Sequence, residues 1–220
     1  MSLARKIATC LALALLAWPA YSKAATTDTL QDLANTGGSL SIGDKVFSNF
    51  DFLASGLTSF DPSQIVVTAS FSGGVYYLTW SGNMSLVSGG TETADLLLGY
   101  TVTATNGLIS EVDQSYTGSA QPSGGAFLAI DETIRDINGN VVGTSHVDGT
   151  KLTDIAGINP PQSTLNVTKD IGFGIVDGGF VTISQVSQSF RQVPEPGTAA
   201  MLIVGSTMLG VAAFRRRKRV

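Results

Sequence analysis

Apolar and polar residues alternate with period two along most of the chain, the pattern of strands that bury one face. From Leu96 to Thr105, the residues Leu96, Leu98, Tyr100, Val102 and Ala104 point one way, while Gly99, Thr101, Thr103 and Thr105 point the other. Ile65, Val67, Ala69 and Phe71 form a second such face, and Tyr76, Leu78 and Trp80 a third. Leu128, Ile130 and Ile134 form a fourth, and Leu165, Val167 and Ile171 a fifth. Between these runs stand Ser72-Gly73-Gly74, Ser81-Gly82-Asn83, Asn106-Gly107, Asn138-Gly139, Asp148-Gly149 and Asp177-Gly178. Such residues tolerate positive φ, as two-residue hairpin turns require. The pattern predicts an all-β fold: a single antiparallel β-sandwich, jelly-roll-like, over residues 25–192. Only Asp28 to Ala34 reads as helix, capped by Thr27 or Asp28. There is no internal repeat, and Gln192 to Pro196 reads as a short extended spacer, because its prolines forbid helix.

Both ends break the alternation. Arg5 and Lys6 precede an apolar run from Ile7 to Trp18, and Ser22-Lys23-Ala24 offers a small-x-small cleavage site. Residues 1–24 therefore read as a secretory signal helix cut after Ala24, with Ser22 as the second choice. Cys10 sits inside the apolar run and reads as filler. At the other end, residues 193–220 carry three features in order. Val193-Pro194-Glu195-Pro196 is followed by an uncharged apolar run from Gly197 to Phe214, and then by Arg215, Arg216, Arg217, Lys218 and Arg219. As a helix the run would be about 27 Å long, just enough to cross a hydrocarbon core of about 30 Å. The basic cluster resists translocation and must remain cytoplasmic, so everything before Gly197 faces the other side. Burying five unpaired cations in a protein core would be prohibitive, which argues against a core helix here.

Signal peptide, Val-Pro-Glu-Pro, short span and Arg-rich end together resemble the PEP-CTERM sorting signal of Gram-negative bacteria. The resemblance places Val193, Pro194, Glu195 and Pro196 at the recognition motif, residues 197–214 at the transmembrane span and residues 215–219 at the cytoplasmic stop. It implies passage through the Sec translocon, cutting by signal peptidase, and processing by exosortase, an integral-membrane cysteine enzyme. The protein would then be held transiently in the inner membrane and delivered to the cell surface or the extracellular matrix. The same tail also carries the label "ice-binding protein C-terminal domain", which describes the tail and is not evidence of ice binding. The stretch from Thr29-Leu30 through Gly43 to Phe50, and that from Leu165–Ile171 leading to Ile183–Phe190, are similar to segments of other small PEP-CTERM proteins without an assigned biochemical role.

Charge narrows what the body can do. Outside the signal and the tail the only basic residues are Lys45, Arg135, Lys151, Lys169 and Arg191, whereas all 17 acidic residues lie between Asp28 and Glu195. Five against 17 leaves residues 25–196 at −12, which argues against nucleic acid as a partner. Once the signal is removed no cysteine remains, so disulfides, thiol catalysis and thiolate metal sites are excluded. His146 is the only histidine, and neither a G-x-S-x-G elbow nor an S-x-x-K pair is present. A zinc site would have only carboxylates beside that one histidine, and no phosphate-cradling loop with a following lysine exists.

Carboxylate chemistry is the remaining enzymatic option, with Glu92, Glu111, Asp113, Asp131 and Glu132 on or near predicted strands. Asp131 and Glu132, being adjacent, should face opposite sides of a strand, whereas Glu111 and Asp113 share a side. Asp136, Asn138 and Asn140 alternate oxygen ligands as a calcium loop would. However, the glycine and the closing acid of an EF-hand are missing, and a plain Asn-Gly hairpin accounts for the segment. Thr101, Thr103 and Thr105 form one threonine file, the kind of surface that could order water or meet a polysaccharide, although threonine is also an ordinary exposed strand residue. Tyr76, Tyr77, Trp80, Tyr100 and Tyr116 are the aromatics a carbohydrate site could use, and their alternating context places most of them in the core.

The sequence therefore points to a non-enzymatic surface or matrix protein without a cofactor, its membrane contact made through the C-terminal span, with exopolysaccharide as a candidate partner. The alternative is a secreted carbohydrate-binding module or glycosidase using the same tail for delivery. If the tail is transient, mass spectrometry of the exported protein will find a C-terminus between Val193 and Gly197 and no Arg215 to Arg219. Recovery of the intact tail on the mature protein would make it a permanent anchor.

Overall fold

The alternating runs form the strands of two stacked antiparallel sheets. The computed structural model describes residues 23–122 and 125–193. In chain order these contain β1 (Lys23–Thr29), α1 (Leu30–Thr36), β2 (Leu40–Ile42), β3 (Lys45–Ser55), β4 (Ser59–Phe60), β5 (Val66–Ser72) and β6 (Val75–Ser88). They continue with β7 (Glu92–Ala104), β8 (Leu108–Pro122), β9 (Gly125–Arg135), β10 (Val141–Asp148), β11 (Thr153–Gln162), β12 (Thr164–Val176) and β13 (Gly179–Val193). One sheet has the order β1-β5-β6-β13-β8-β11, with β4 added to β6; the other has the order β10-β9-β12-β7-β3-β2. Most of the signal segment, the span 197–214 and the basic stop 215–219 lie outside the described residues, as do Pro194, Glu195 and Pro196. Among the described residues no helix is long and apolar enough to cross a membrane.

The core is the set of inward faces read from the sequence. On β7, at the middle of its sheet, Leu96, Leu98, Tyr100, Val102 and Ala104 are buried, and on β12 so are Leu165, Val167 and Ile171. Leu165 stands opposite Val102, Val167 opposite Tyr100 and Ile171 opposite Leu96. From the facing sheet come Val67, Ala69, Leu78, Trp80, Val112, Val181, Val186 and Phe190. Trp80 and Phe190 meet Tyr100 with ring centroids 5.3 and 6.5 Å apart, and Phe47 meets Phe190 at 5.3 Å. These tilted and edge-on contacts add to simple area burial.

Several local expectations shift. The helix runs from Leu30 to Thr36 rather than from Asp28 to Ala34. Its cap is Thr29: Oγ1 accepts from the Asp32 backbone N–H at 3.1 Å and donates to the Asp32 carboxylate at 2.8 Å, while the Thr29 backbone N–H donates to the Asp28 carboxylate at 2.8 Å. Thr27 and Asp28 remain on β1, opposite Thr68 and Val67. Ser81-Gly82-Asn83 is not a turn but a bulge inside β6, where the register to β13 shifts between Ile183 and Gln185. Gly82, at φ 157°, lies there against the Gln64 carbonyl, and an added Cβ would come within 2.9 Å of that oxygen.

Of the predicted two-residue turns, Gly73-Gly74 and Asn138-Gly139 close hairpins, between β5 and β6 and between β9 and β10. Asn106-Gly107, Asp148-Gly149 and Asp177-Gly178 instead carry the chain from one sheet to the other. The same positive-φ chemistry serves both purposes, because a tight reversal does not require its two arms to hydrogen-bond each other. Gln192 and Val193 are not spacer either, since they pair with Ile109 and Leu108 as the end of β13.

Replacing the fully buried Leu98 with alanine should cost about 2–5 kcal/mol, whereas Thr103→Ala on the outer face of the same strand should stay within about 0.5 kcal/mol. Denaturant midpoints of the two variants measure the difference.

Candidate functional site: a cleft between the sheet edges

The sandwich is open along one flank. β11 pairs with β8 only between Ile109 and Ser115, and β10 pairs with β9 only from Ala129 to Arg135. Past those points neither β8 nor β9 has a strand partner on that side among the described residues, and Gly118, Ala120, Ala126 and Ala129 contribute little bulk. The result is a cleft of about 540 Å³, bordered by Tyr116, Phe127, His146, Asp148 and the connection through Thr150 and Leu152. Phe127 is 53% exposed and Leu152 56%. The Phe127 ring lies over Gly174 on the neighbouring strand, where an added Cβ would come 1.8 Å from a ring carbon. A residue with a side chain at Gly174 would displace the ring, so glycine keeps this aromatic face flat against the sheet.

The rim of the cleft is a closed ionic cluster. The Nδ1 of His146 is 2.7 Å from the Asp131 carboxylate, and its Nε2 is 3.5 Å from that of Asp148. Its backbone N–H donates to Asp154 at 2.8 Å, and Lys151 pairs with Asp154 at 2.6 Å. The hydrogen bond to Asp131, with lesser help from Asp148, raises the imidazole above its ordinary pKa. Asp148 is pushed down to about 2, first by the Thr150 hydroxyl and then by the backbone N–H groups of Thr150 and Lys151. On the same sheet face Asp170 stands directly opposite Asp131. Asp170 is held above the usual carboxylate range by partial burial first, and then by Asp95 and Asp131.

The other residues singled out from sequence are distributed as follows. Glu111 meets Arg191 at 3.3 Å and Asp113 accepts the Ser189 backbone N–H at 3.0 Å, both through the neighbouring strand β13. Glu92 is exposed at the start of β7. Asp131 and Glu132 face opposite sides, Asp131 outward and Glu132 into the core. Asp136 closes its own hairpin: one carboxylate oxygen takes the N–H groups of Asn138 and Asn140, both at 2.9 Å, and the other takes the Asn140 amide at 2.9 Å. These bonds, the Asn140 side chain foremost, lower the Asp136 pKa and already use the oxygens a cation would need. Among the described residues no group of three or more His, Cys, Asp or Glu side chains is arranged to hold a metal ion.

In the threonine file, Thr101 donates to Asn166 at 2.8 Å and Thr105 to the Asp44 carbonyl at 3.2 Å. Trp80 and Tyr100 are core residues, but Tyr76, Tyr77 and Tyr116 are only partly buried, so fewer of the aromatics are sequestered than expected. Ala24 lies on β1, and Val193 is the last described residue, 40% exposed.

Phe127 was missed by reading for strands. Its signal is nevertheless present: with Leu128 and Ile130 turned inward, the parity of Ala126-Phe127-Leu128-Ala129-Ile130 turns Phe127 outward.

What the structure defines as a class is a β-sandwich that ends, at the last residue of a central strand, where the sorting segment begins. Residues 192–218 match the PEP-CTERM protein-sorting motif, so the chain carries that sorting signal at this end. That motif implies exosortase recognition, processing at the membrane and delivery to the cell surface or extracellular space. No curated protein matches the chain in sequence.

Among solved structures it is similar to a glycosylation-associated protein (Gap123) complex from Streptococcus agalactiae, at 11% identity and TM-score 0.32 over 70% of this chain, which spans only 27% of that one. It is also similar to the carbohydrate-binding module TmCBM61 in complex with β-1,4-galactotriose (13%, TM-score 0.30, 62% of this chain and 86% of that one). A third likeness is to the structure of infectious bursal disease virus Gx strain (10%, TM-score 0.34, 80% and 57%). None of these likenesses bears on what the cleft holds.

The raised value of His146 fixes the sign of its effect. A group whose folded pKa exceeds its unfolded one stabilises fully below the unfolded value, and the gain is lost as pH rises through the folded value. His146→Gln should therefore lower the melting temperature near about pH 5 and leave it unchanged near about pH 9. The shift should be small, because both His146 and Asp131 are well exposed. Melts of the variant and the parent across that range measure it.

Proposed function

We propose that this protein is a non-enzymatic component of the cell surface or extracellular matrix of a Gram-negative bacterium, in the inner membrane only until exosortase processes its tail. Its sandwich makes contact with exopolysaccharide through the cleft between β8 and β9. The observation that carries this reading is the exposed Phe127 ring, kept flat by glycine and bordered by Tyr116 and fixed acceptors. Ring faces stack against the C–H faces of a sugar, while carboxylates accept its hydroxyls; apolar walls with a few placed polar groups are the usual build of a ligand site. The rim chemistry favours binding over hydrolysis. Asp148, at about 2, has no proton to give near neutrality, and both ring nitrogens of His146 already face carboxylates. A glycosidase needs one acid held protonated across a cleft from another, and Glu111 and Asp113 are engaged on the opposite sheet.

The position of the cleft suits display. Gly118, in the cleft, pairs with Ile183, and β13 then runs to Val193, where the sorting segment starts. At about 3.3 Å per residue this separates cleft and tail by roughly 33 Å. A ligand would therefore be held at the far end from the membrane during processing.

The test is co-sedimentation of the exported protein with exopolysaccharide from its own host. Phe127→Ala should weaken binding by about tenfold, the loss of roughly one aromatic stacking contact, whereas Tyr77→Ala, away from the cleft, should not. Equal binding by Phe127→Ala and the parent would move the contact elsewhere. Hydrolysis of the polysaccharide by the purified protein would replace this reading with an enzymatic one.

A further inference from the structure

The centre of the core holds a set of groups that the surface role does not use. Lys169 on β12 and Glu132 on β9 stand opposite each other in register, and Gln114 on β8 and Gln188 on β13 do the same in the facing sheet. All four are at most 2% exposed. The Lys169 ammonium donates to the Glu132 carboxylate at 2.5 Å and to the Gln114 side-chain carbonyl oxygen at 3.0 Å. That oxygen is one C=O bond from Cδ, so Nζ lies within about 4.2 Å of the amide carbon. The Gln114 amide is held from its other end by donation to the Ile130 carbonyl at 3.3 Å. Glu132 is oriented by Ser145, which donates to its other oxygen at 3.1 Å, and by the Gln188 amide.

A nucleophile, an amide electrophile and a carboxylate able to move protons are thus brought together where water cannot compete. We propose that Lys169 and Gln114 condense spontaneously into an amide cross-link between the two sheets, with Glu132 carrying the protons.

Glu132 first takes a proton from Nζ along the hydrogen bond that already joins them. The freed amine pair forms a bond to Cδ of Gln114, and the carbonyl electrons move onto its oxygen. As the carbonyl re-forms, the bond from Cδ to Nε2 breaks, and Nε2 takes a proton from Glu132 to leave as ammonia. Nζ loses two protons in all: one departs on the leaving nitrogen, which leaves as ammonia, and the second stays on Glu132 as a neutral acid, so no unpaired charge is left in the core. Nothing is oxidised or reduced, and no co-reactant is needed. Holding the partners in place supplies the effective concentration that free amine and amide lack. The link would join strands of opposite sheets in a body without a cysteine, taking the place a disulfide fills elsewhere.

The experiment is a tryptic digest of protein purified after expression of the full chain, read by tandem mass spectrometry. A cross-linked Lys169 is not cleaved. The expected product is therefore a branched peptide joining Val46–Arg135 to Leu152–Arg191, lighter than the two together by one ammonia. Gln114→Ala should abolish it and restore cleavage after Lys169, and Glu132→Gln should prevent it from forming. If Glu132→Gln does not fold, Glu132→Asp, with its acid drawn back by one methylene, should slow the cross-linking at least about tenfold. Unlinked peptides cleaved at Lys169 in the parent protein would overturn the proposal. So would a branched peptide lighter by one water, which would put the bond at Glu132. Cross-linking at the parent rate in either Glu132 variant would remove its role.

Discussion

A lysine and a glutamate at the centre of an apolar sandwich are the constraint from which much of the rest follows. Leaving either charge buried alone would cost about 3–5 kcal/mol, so Lys169 and Glu132 must meet, and their remaining hydrogen-bonding capacity must be filled from the opposite sheet. Gln114 and Gln188 do this, and the Tyr100 hydroxyl closes the chain by donating to Gln188. Burial, and after it the Glu132 carboxylate, keep the Tyr100 phenol well above its usual pKa, so it serves as a donor throughout. A one-residue slip of β12 would turn Lys169 to solvent and bring Thr168 and Asp170 into the core. The quartet therefore specifies register within each sheet and the stacking of one sheet on the other, which purely apolar contacts would leave looser.

The two ends of the sandwich have different chemistry. Near the start of the sorting segment, Lys45 is fully buried beside Asp44 at 2.9 Å, bonded to Gln192 and set 4.3 Å over the Tyr76 ring. Burial pulls that ammonium below the ordinary lysine value, against the opposing pull of Asp44. This cluster ties the start of β3 and the turn before it to the end of β13, so the chain is anchored up to the residue before the Val-Pro-Glu-Pro motif. At the far end the strands outrun their partners, small residues line the gap, and Phe127 and Leu152 stay exposed. One end is closed and fastens the tail; the other is open and carries the aromatic face.

How legible this was depends on the range of the interaction concerned. Leu96 to Ala104 could be assigned a buried face because strand parity is local and strict, and the structure keeps it residue for residue. The cap at Thr29 was also local, but Thr27, Asp28 and Thr29 are all competent caps, and the pairing of β1 with β5, which ends at Thr29, decides among them. Five of the six predicted Gly-containing turns are reversals, and Ser81-Gly82-Asn83 is instead a bulge within β6. Whether each joins neighbours in one sheet or crosses to the other depends on partners far away in sequence. Lys169 and Glu132 sit in inward-facing positions of alternating runs, Val167-Lys169-Ile171 and Ile130-Glu132-Ile134, where parity alone already buried them. Charge made them look like exceptions to the pattern, when they were each other's partners.

By itself the sequence determined what rests on local covalent geometry and on single segments meeting solvent or lipid. That includes the strand faces, the reversals, the acidic cysteine-free body and the sorting motif with its apolar run and basic stop. The tertiary structure decided what depends on which strands stop short of which. Because β11 and β10 end early, a cleft opens beside Tyr116, and Gly174, over 40 residues further along the chain, holds Phe127 at its edge. It also decided that two charges from distant strands share one dry centre with two glutamines, since pairing buried charges is a problem no single segment can solve.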